Sequence, residues 1–397
     1  MSRDLFRSAA TIDYPIIDCD GHVHEPADLW QTRVPAAMRE RAPRVIDTDR
    51  GQQWSFDGGR ATRAVPPTGW APPNVDPLGG TYETMRRGAY ETKSRLVDMD
   101  ADGVYAQVVY PTVTLSGAAI YSADDAPLQR ACVRAYNEWL LEFCEGSDRR
   151  LIPQAIMPTC GLEAMREELR WAHEHGHRGA LISTYPNGTI DPEPEDDLFW
   201  SEARELGLPI GIHLGSFNPP DVARRPWNIR EIPFLGVAAA GKSGKNAIAT
   251  TLNILFSGVP QRFPEIPFVL VEANMGWVPT TLEQTDDMFY RFRYLTGAVD
   301  KMPDMPSALF HRSFWAGFLV DRIGVELRYH MNLEHLMWGS DYPHTASDWP
   351  HSRLTIERNF TGIPSDEVRL FLHANCKRLY GLDYIPDTNA ELHRRAR

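Results

Sequence analysis

An eight-stranded α/β barrel is the fold class this sequence predicts. Three observations predict it: a chain of 397 residues, an apolar strand-like run at its start, and seven helix–strand pairs that follow in steady alternation. That length suits one barrel with insertions, so residues 1–397 are read as a single domain. Hydrophobic residues make up 43% and charged residues 24%, the balance of a chain that buries a sizeable core, which sets disorder aside. With 41 basic against 53 acidic residues the formal charge is −12, and no basic run interleaves with aromatics, so nucleic acid is not expected as a partner.

The first strand is IIDCD, the start of IIDCDGHVHEP at 16–26. The pairs that follow are SRLVDMDADG with VYAQVVYP, LQRACVRAYNEWLLEFCEG with LIPQAIMP, and GLEAMREELRWAHEHG with RGALIST. EDDLFWSEARELG then leads to LPIGIHL, AIATTLNILFSGV to IPFVLVEA, a helix near 276–295 to SFWAGFLV, and VELRYHMN to HLMWGS. Each strand segment is short and rich in β-branched or aromatic residues, and each helix segment carries apolar residues at helical spacing.

Two segments break the rhythm. Residues 31–90 follow the first strand and hold Pro66, Pro67, Pro72, Pro73 and two Gly-Gly pairs; residues 215–245 follow the fifth. Both leave strand C-termini, which places them over the active-site face of a barrel as a lid or pocket wall. Trp54, Trp70, Phe217, Trp227 and Phe234 would line that mouth, with Arg224, Arg225 or Arg230 available to receive a carboxylate. Residues 382–397 read as a C-terminal tail. The N-terminus lacks the apolar core of a signal peptide and no stretch is long enough to span a membrane, so a cytoplasmic enzyme without a membrane partner is expected. Five cysteines at 19, 132, 144, 160 and 376 form no CxxC pair and fit reduced thiols, Cys19 being a small buried strand residue.

A barrel gathers its chemistry at strand C-termini, so the polar residues there are the site candidates. His22 and His24 alternate onto one face at the end of the first strand, His213 ends the fifth, Glu272 the sixth and Asp341 the eighth. Three histidines and a carboxylate at one mouth suit a divalent transition metal, zinc first, with manganese or iron as alternatives and one or two ions. His344, Asn274 and Trp227 are the expected substrate contacts. The histidines of HEHGH at 173–177 look metal-like but end a helix, where positive charge suits the dipole, and are read as structural.

One motif competes. Residues 236–243, GVAAAGKS, satisfy the GxxxxGK[ST] phosphate-loop pattern with Lys242 in place. Such a loop springs from a buried strand, whereas ARRPWNIREIPFLG precedes this one, so nucleotide binding is set aside.

The ordered set DGHVHEP, GIHLGS, SGVPQRFPEIPFVLVEANMGWVP and MWGSDYPHTASDWP resembles the amidohydrolase-related family, the branch that includes aminocarboxymuconate-semialdehyde decarboxylase and the resorcylate-type decarboxylases. The resemblance runs from Ile16 to about Tyr380. It implies one divalent metal on His22, His24, His213 and Asp341, a metal-activated water, Asp341 and Glu272 as the acid–base groups, hydrolysis or decarboxylation of a small carboxylated or cyclic metabolite, and a homodimer. The chain departs from that pattern at the sixth strand, where Glu272 stands in place of a histidine. A carboxylate there admits three roles: base, ligand, or orienter of a ligand histidine. Glu272 with Glu25 would also serve a dinuclear iron or manganese–iron oxygenase, the alternative function.

Overall fold

A computed structural model describes residues 12–49, 51–65, 81–115, 117–122, 124–213, 216–217, 236 and 239–395. Trp70, Arg224, Arg225, Trp227, Arg230 and Phe234 lie outside them.

The first strand, β1 (Ile17–Val23), is buried along its whole length. The insertion after it is not mere loop: it forms a three-stranded antiparallel sheet, β2 (Arg44–Thr48), β3 (Gly51–Phe56) and β4 (Ala61–Ala64). Trp54 and Phe56 end up fully buried, Trp54 packing edge-on against Trp30 at 5.1 Å. Trp54 therefore belongs to the core and does not wall the mouth. Its place in β3 explains why: opposite Val45 and Arg63, its side chain is turned inward by the strand's alternation.

The barrel strands are β1, β5 (Ala106–Pro111), β6 (Leu151–Pro153) with β7 (Ala155–Ile156), β8 (Ala180–Leu181), β9 (Ile210–His213), β10 (Phe268–Val271), β11 (Phe314–Phe318) and β12 (Leu336–Trp338). All pairings among them are parallel and follow chain order, and β6 and β7 are halves of one strand broken at Gln154. Closure comes from the turn after β12. Gly21 bridges to Tyr342, the His22 amide donates to the Tyr342 carbonyl at 2.6 Å, and the Asp341 amide to the Asp20 carbonyl at 2.7 Å. Eight strand positions in sequence order make the expected barrel.

Helices cover the ring, among them Thr92–Asp102, Ala126–Glu145, Leu162–His175, Asp197–Leu206, Lys245–Phe256, Val278–Phe292 and Pro306–Ser313. Gly103, Gly176 and Gly207 end three of these helices in the left-handed conformation. The segment read as a tail is packed: Leu382 and Ile385 are fully buried, Lys377 pairs with Asp387 at 2.7 Å, and a helix runs over Asn389–Arg395. Among the described residues no helix is long and apolar enough to cross a membrane.

Candidate metal centre

The site forms where β1, β9, β10 and β12 end. His22 is held at four points. Its amide meets Tyr342, its carbonyl accepts from the buried Arg95 guanidinium, its Nδ1 sits 2.8 Å from the Pro111 carbonyl, and its ring stacks on His344 at 4.0 Å. A proton on Nδ1, donated to Pro111, leaves the Nε2 lone pair aimed at the centre. There it lies 3.2 Å from His213 Nε2, 3.2 Å from Asp20 Oδ1 and 3.5 Å from Asp341 Oδ1; His213 Nε2 is 3.6 Å from Asp20 Oδ1.

These separations test whether a metal fits. Metal–nitrogen bonds of about 2.1 Å put neighbouring ligand atoms roughly 3.0 to 3.4 Å apart around one ion. Of the observed separations, the two at 3.2 Å lie within that range and those at 3.5 and 3.6 Å just above it. The polarity of the site makes the same demand: Asp20 is fully buried, and the groups nearest its carboxylate are the His22 and His213 ring nitrogens at 3.2 and 3.6 Å, which face it with lone pairs once His22 has given up its proton. A buried anion in that setting calls for a cation.

The structure thus gathers His22, His213 and Asp341, as the strand-end reading anticipates, and adds Asp20 and His344. His24 is fully buried with its amide on the Ala89 carbonyl, yet it joins neither of the two donor groups among the described residues, Asp20–His22–His213 and His22–Asp341–His344. His24 lies just beyond the last residue of β1, whereas Asp20 and His22 lie within it, two residues apart on one face. His344 reaches the centre through a 2.7 Å contact between its Nδ1 and Asp341 Oδ1, while its Nε2 is 3.0 Å from Thr112 Oγ1. Its contact here is with a candidate ligand, Asp341.

Glu272 is buried at the end of β10. One carboxylate oxygen pairs with Lys242 and the other lies 3.7 Å from His213 Nδ1, on the side of the ring away from the centre. That placement fits the role of orienting His213 more closely than that of a ligand. Asn274, expected at the substrate, has its amide committed at both ends: Nδ2 donates to the Lys242 carbonyl at 2.9 Å and Oδ1 accepts from the Leu319 amide at 3.3 Å. Glu25 accepts from the Val113 amide at 3.1 Å, and among the described residues neither it nor Glu272 belongs to a donor group. Phe217 is buried edge-on against Tyr185 at 5.2 Å.

Glu272 and Asp341 share an unusual backbone, with φ of +56° and +57°. Residues with a Cβ pay of order 1 kcal/mol or more in the left-handed region, and such strain gathers at functional sites. The turn that carries Asp341 also needs Gly339, because a Cβ there would meet the Asp20 Cβ at 2.5 Å. The HEHGH histidines are far from this chemistry: His175 stacks on Trp171 at 4.3 Å, and burial lowers the His177 pKa to about 4.

Lys242 is the group the sequence reading missed. Its pattern pointed to phosphate, but the structure turns its ammonium onto Glu272, with Asp341 Oδ2 at 3.4 Å. The local signal was a lysine between two glycines in the insertion after the fifth strand, which pattern matching absorbed into a nucleotide motif.

Proton and metal compete for His22. Burial alone would lower its pKa, but Asp20, Asp341 and Glu272 carry it up to about 9. A ligand histidine must be neutral, so below that pH one proton has to leave for each ion bound. Apparent manganese affinity of the metal-free chain should rise close to tenfold per pH unit and level off near pH 9. Titration calorimetry in buffers of different ionisation enthalpy checks this; an affinity flat from about pH 7 to pH 9 would refute the proton-holding role of His22.

Comparison with known proteins agrees with the geometry. The family model described as amidohydrolase matches residues 17–382. The decarboxylase orsB of Emericella nidulans is 27% identical over 204 residues, covering 50% of this chain and 58% of that protein, so the match spans little more than half of the relative's length. An amidohydrolase of Mycobacterium avium subsp. paratuberculosis K-10 superposes with a TM-score of 0.73 at 18% identity, covering 94% of this chain and 100% of that one. A 5-carboxyvanillate decarboxylase of Novosphingobium aromaticivorans, solved with manganese and 4-hydroxy-3-methoxy-5-nitrobenzoic acid, gives 0.66 at 14% identity over 95% of this chain and 98% of that one.

Proposed function

The chain belongs to the amidohydrolase family, and from that premise we propose that it is a metal-dependent decarboxylase of a small carboxylated ring compound. The observation that carries this reading is the pair of donor groups that meet at His22, Asp20–His22–His213 on one side and His22–Asp341–His344 on the other. The names of the orsB and 5-carboxyvanillate relatives favour decarboxylation over hydrolysis. Manganese is the first ion to test, given the carboxylates in the donor set and the manganese in that relative, with zinc second.

A divalent ion bound by Asp20, His22, His213 and Asp341 would polarise a substrate oxygen and stabilise negative charge as it develops. Decarboxylation breaks the ring–carboxylate bond, releases CO2 and needs a proton at the ring carbon. Asp341 and His344 form the proton path: burial raises the Asp341 pKa and lowers that of His344, so the two are poised to share one proton. Arg95 and Pro111 fix His22, so that ring does not have to reorganise, and the Glu272 carboxylate lies 3.7 Å behind His213 Nδ1.

The test is CO2 release from a panel of dihydroxybenzoates and 5-carboxyvanillate by manganese-loaded protein, with chelator-treated protein as control. Turnover of at least one panel member, lost on chelation and regained with metal, is the expected result. No CO2 from any of them, alongside hydrolysis of cyclic amide or ester probes, would move the assignment to hydrolysis.

A further inference from the structure

We propose that Lys242 is the specificity-determining cation of this site, holding an anionic oxygen of the substrate beside the metal centre while Glu272 acts as its resting counter-ion. The inference rests on the decarboxylase reading and adds to it the residue that selects for charge.

The lysine is positioned rather than adventitious. Residues 239–242 form a helical turn, closed by the Ser243 amide and hydroxyl on the Ala239 carbonyl at 2.9 and 2.8 Å. Gly244 then reverses the chain at φ +89°, and a Cβ at that point would meet the Trp277 ring at 2.3 Å. Only glycine lets the segment press so closely on the turn after β10. Asn274 of that turn donates to the Lys242 carbonyl at 2.9 Å, and Trp277 Nε1 is anchored on the Ala273 carbonyl at 2.9 Å. The loop bearing Lys242 is thereby clamped to the strand that supplies Glu272.

Exposure decides which way the ammonium can serve. The side chains of Asp341 and Glu272 are 1% and 7% exposed, whereas that of Lys242 is 31% exposed, so the lysine is the member of this trio that reaches solvent. Charge balance assigns the task. Asp20, Glu272 and Asp341 bring three negative charges; one divalent ion leaves one uncancelled, and Lys242 cancels it. Without the lysine the loaded site would be anionic and would repel a carboxylate. With it the site accepts one, because the ammonium has three donors and, among the described residues, Glu272 takes one while Asp341 Oδ2 lies at a longer 3.4 Å.

The test compares 2-hydroxybenzoate with its neutral analogue 2-hydroxybenzamide, bound to manganese-loaded protein and measured calorimetrically beside metal content. Wild type should prefer the acid. Lys242→Met should lose roughly 10- to 100-fold in affinity for the acid and change little for the amide, and Lys242→Arg should recover part of the loss. Lys242→Met combined with Glu272→Gln removes the stranded carboxylate, and it should hold metal at wild-type stoichiometry while still failing to prefer the acid. Equal losses for acid and amide, or loss of metal in both variants, would make Lys242 structural and overturn the inference alone. A wild type that binds the amide as tightly as the acid would overturn the carboxylated-substrate reading along with it.

Discussion

Asp341→Asn should yield a folded barrel with less than about a tenth of an equivalent of metal and at least roughly 1,000-fold slower turnover. Two losses coincide at this residue. Oδ1 lies 3.5 Å from His22 Nε2, within the donor set, and is also the oxygen 2.7 Å from His344 Nδ1, within the proton path. An amide can replace neither a charged ligand oxygen nor a proton acceptor. The fold should survive, because the closure contact of this residue is made by its backbone amide to the Asp20 carbonyl and does not involve the side chain. His213→Ala removes a ligand without touching the His344 pair, so it should strip metal equally while leaving thermal unfolding close to wild type. Elemental analysis, circular-dichroism melting and CO2 release on the same samples check both. Metal retained at wild-type stoichiometry in both variants would refute the ligand set.

Why the sequence discloses part of this site and hides the rest follows from the kind of order involved. His22, His213 and Asp341 end apolar runs, and a barrel brings such ends together, so strand period and element order are enough to pair them across more than 300 residues. Asp20 shares the face of His22 by the same alternation, but an acidic residue inside an apolar strand carries no separate mark. His24, with the same parity, falls past the end of β1, where period no longer dictates direction. Lys242 owes its position to a clamp formed by Gly244, Asn274 and Trp277, a tertiary arrangement that no local pattern encodes. The insertion misleads for another reason: its turn-forming residues are conspicuous, while the short strands on either side of Asp49 and Arg50 are not.

The helix Thr92–Asp102 shows amphipathic reasoning inverted, and it sets up the second large effect. Its inward residues include Arg95, Asp98 and Asp102, groups that ordinary patterning sends to solvent. Asp98 takes Arg86 and the Tyr342 hydroxyl, and Asp102 takes the Ser352 amide and hydroxyl, so each buried charge has a partner. Arg95 is fully buried and donates to the Gly88 carbonyl, the Gln107 side chain and the His22 carbonyl, with the Tyr342 ring 4.8 Å away. Burial lowers its pKa, and the nearby Tyr342, Asp98 and Asp18 oppose that shift. Arg95→Met fills much of the same volume but leaves two carbonyls and an amide oxygen buried without the guanidinium that serves them, while Asp98 keeps Arg86 and Asp18 keeps Ser340 and Gln107. Together these should cost about 3 kcal/mol or more, seen as a lower urea midpoint with an unchanged slope. The metal centre should suffer too, since the carbonyl of His22 loses its restraint; about tenfold weaker manganese binding is expected, in line with the loss of an outer partner of a ligand. Arg95→Lys keeps the charge but cannot span three acceptors, and should fall between the two. A variant that loses stability but binds manganese as wild type does would show that His22 is held well enough by Pro111 and Tyr342, and that Arg95 serves the barrel wall rather than the metal.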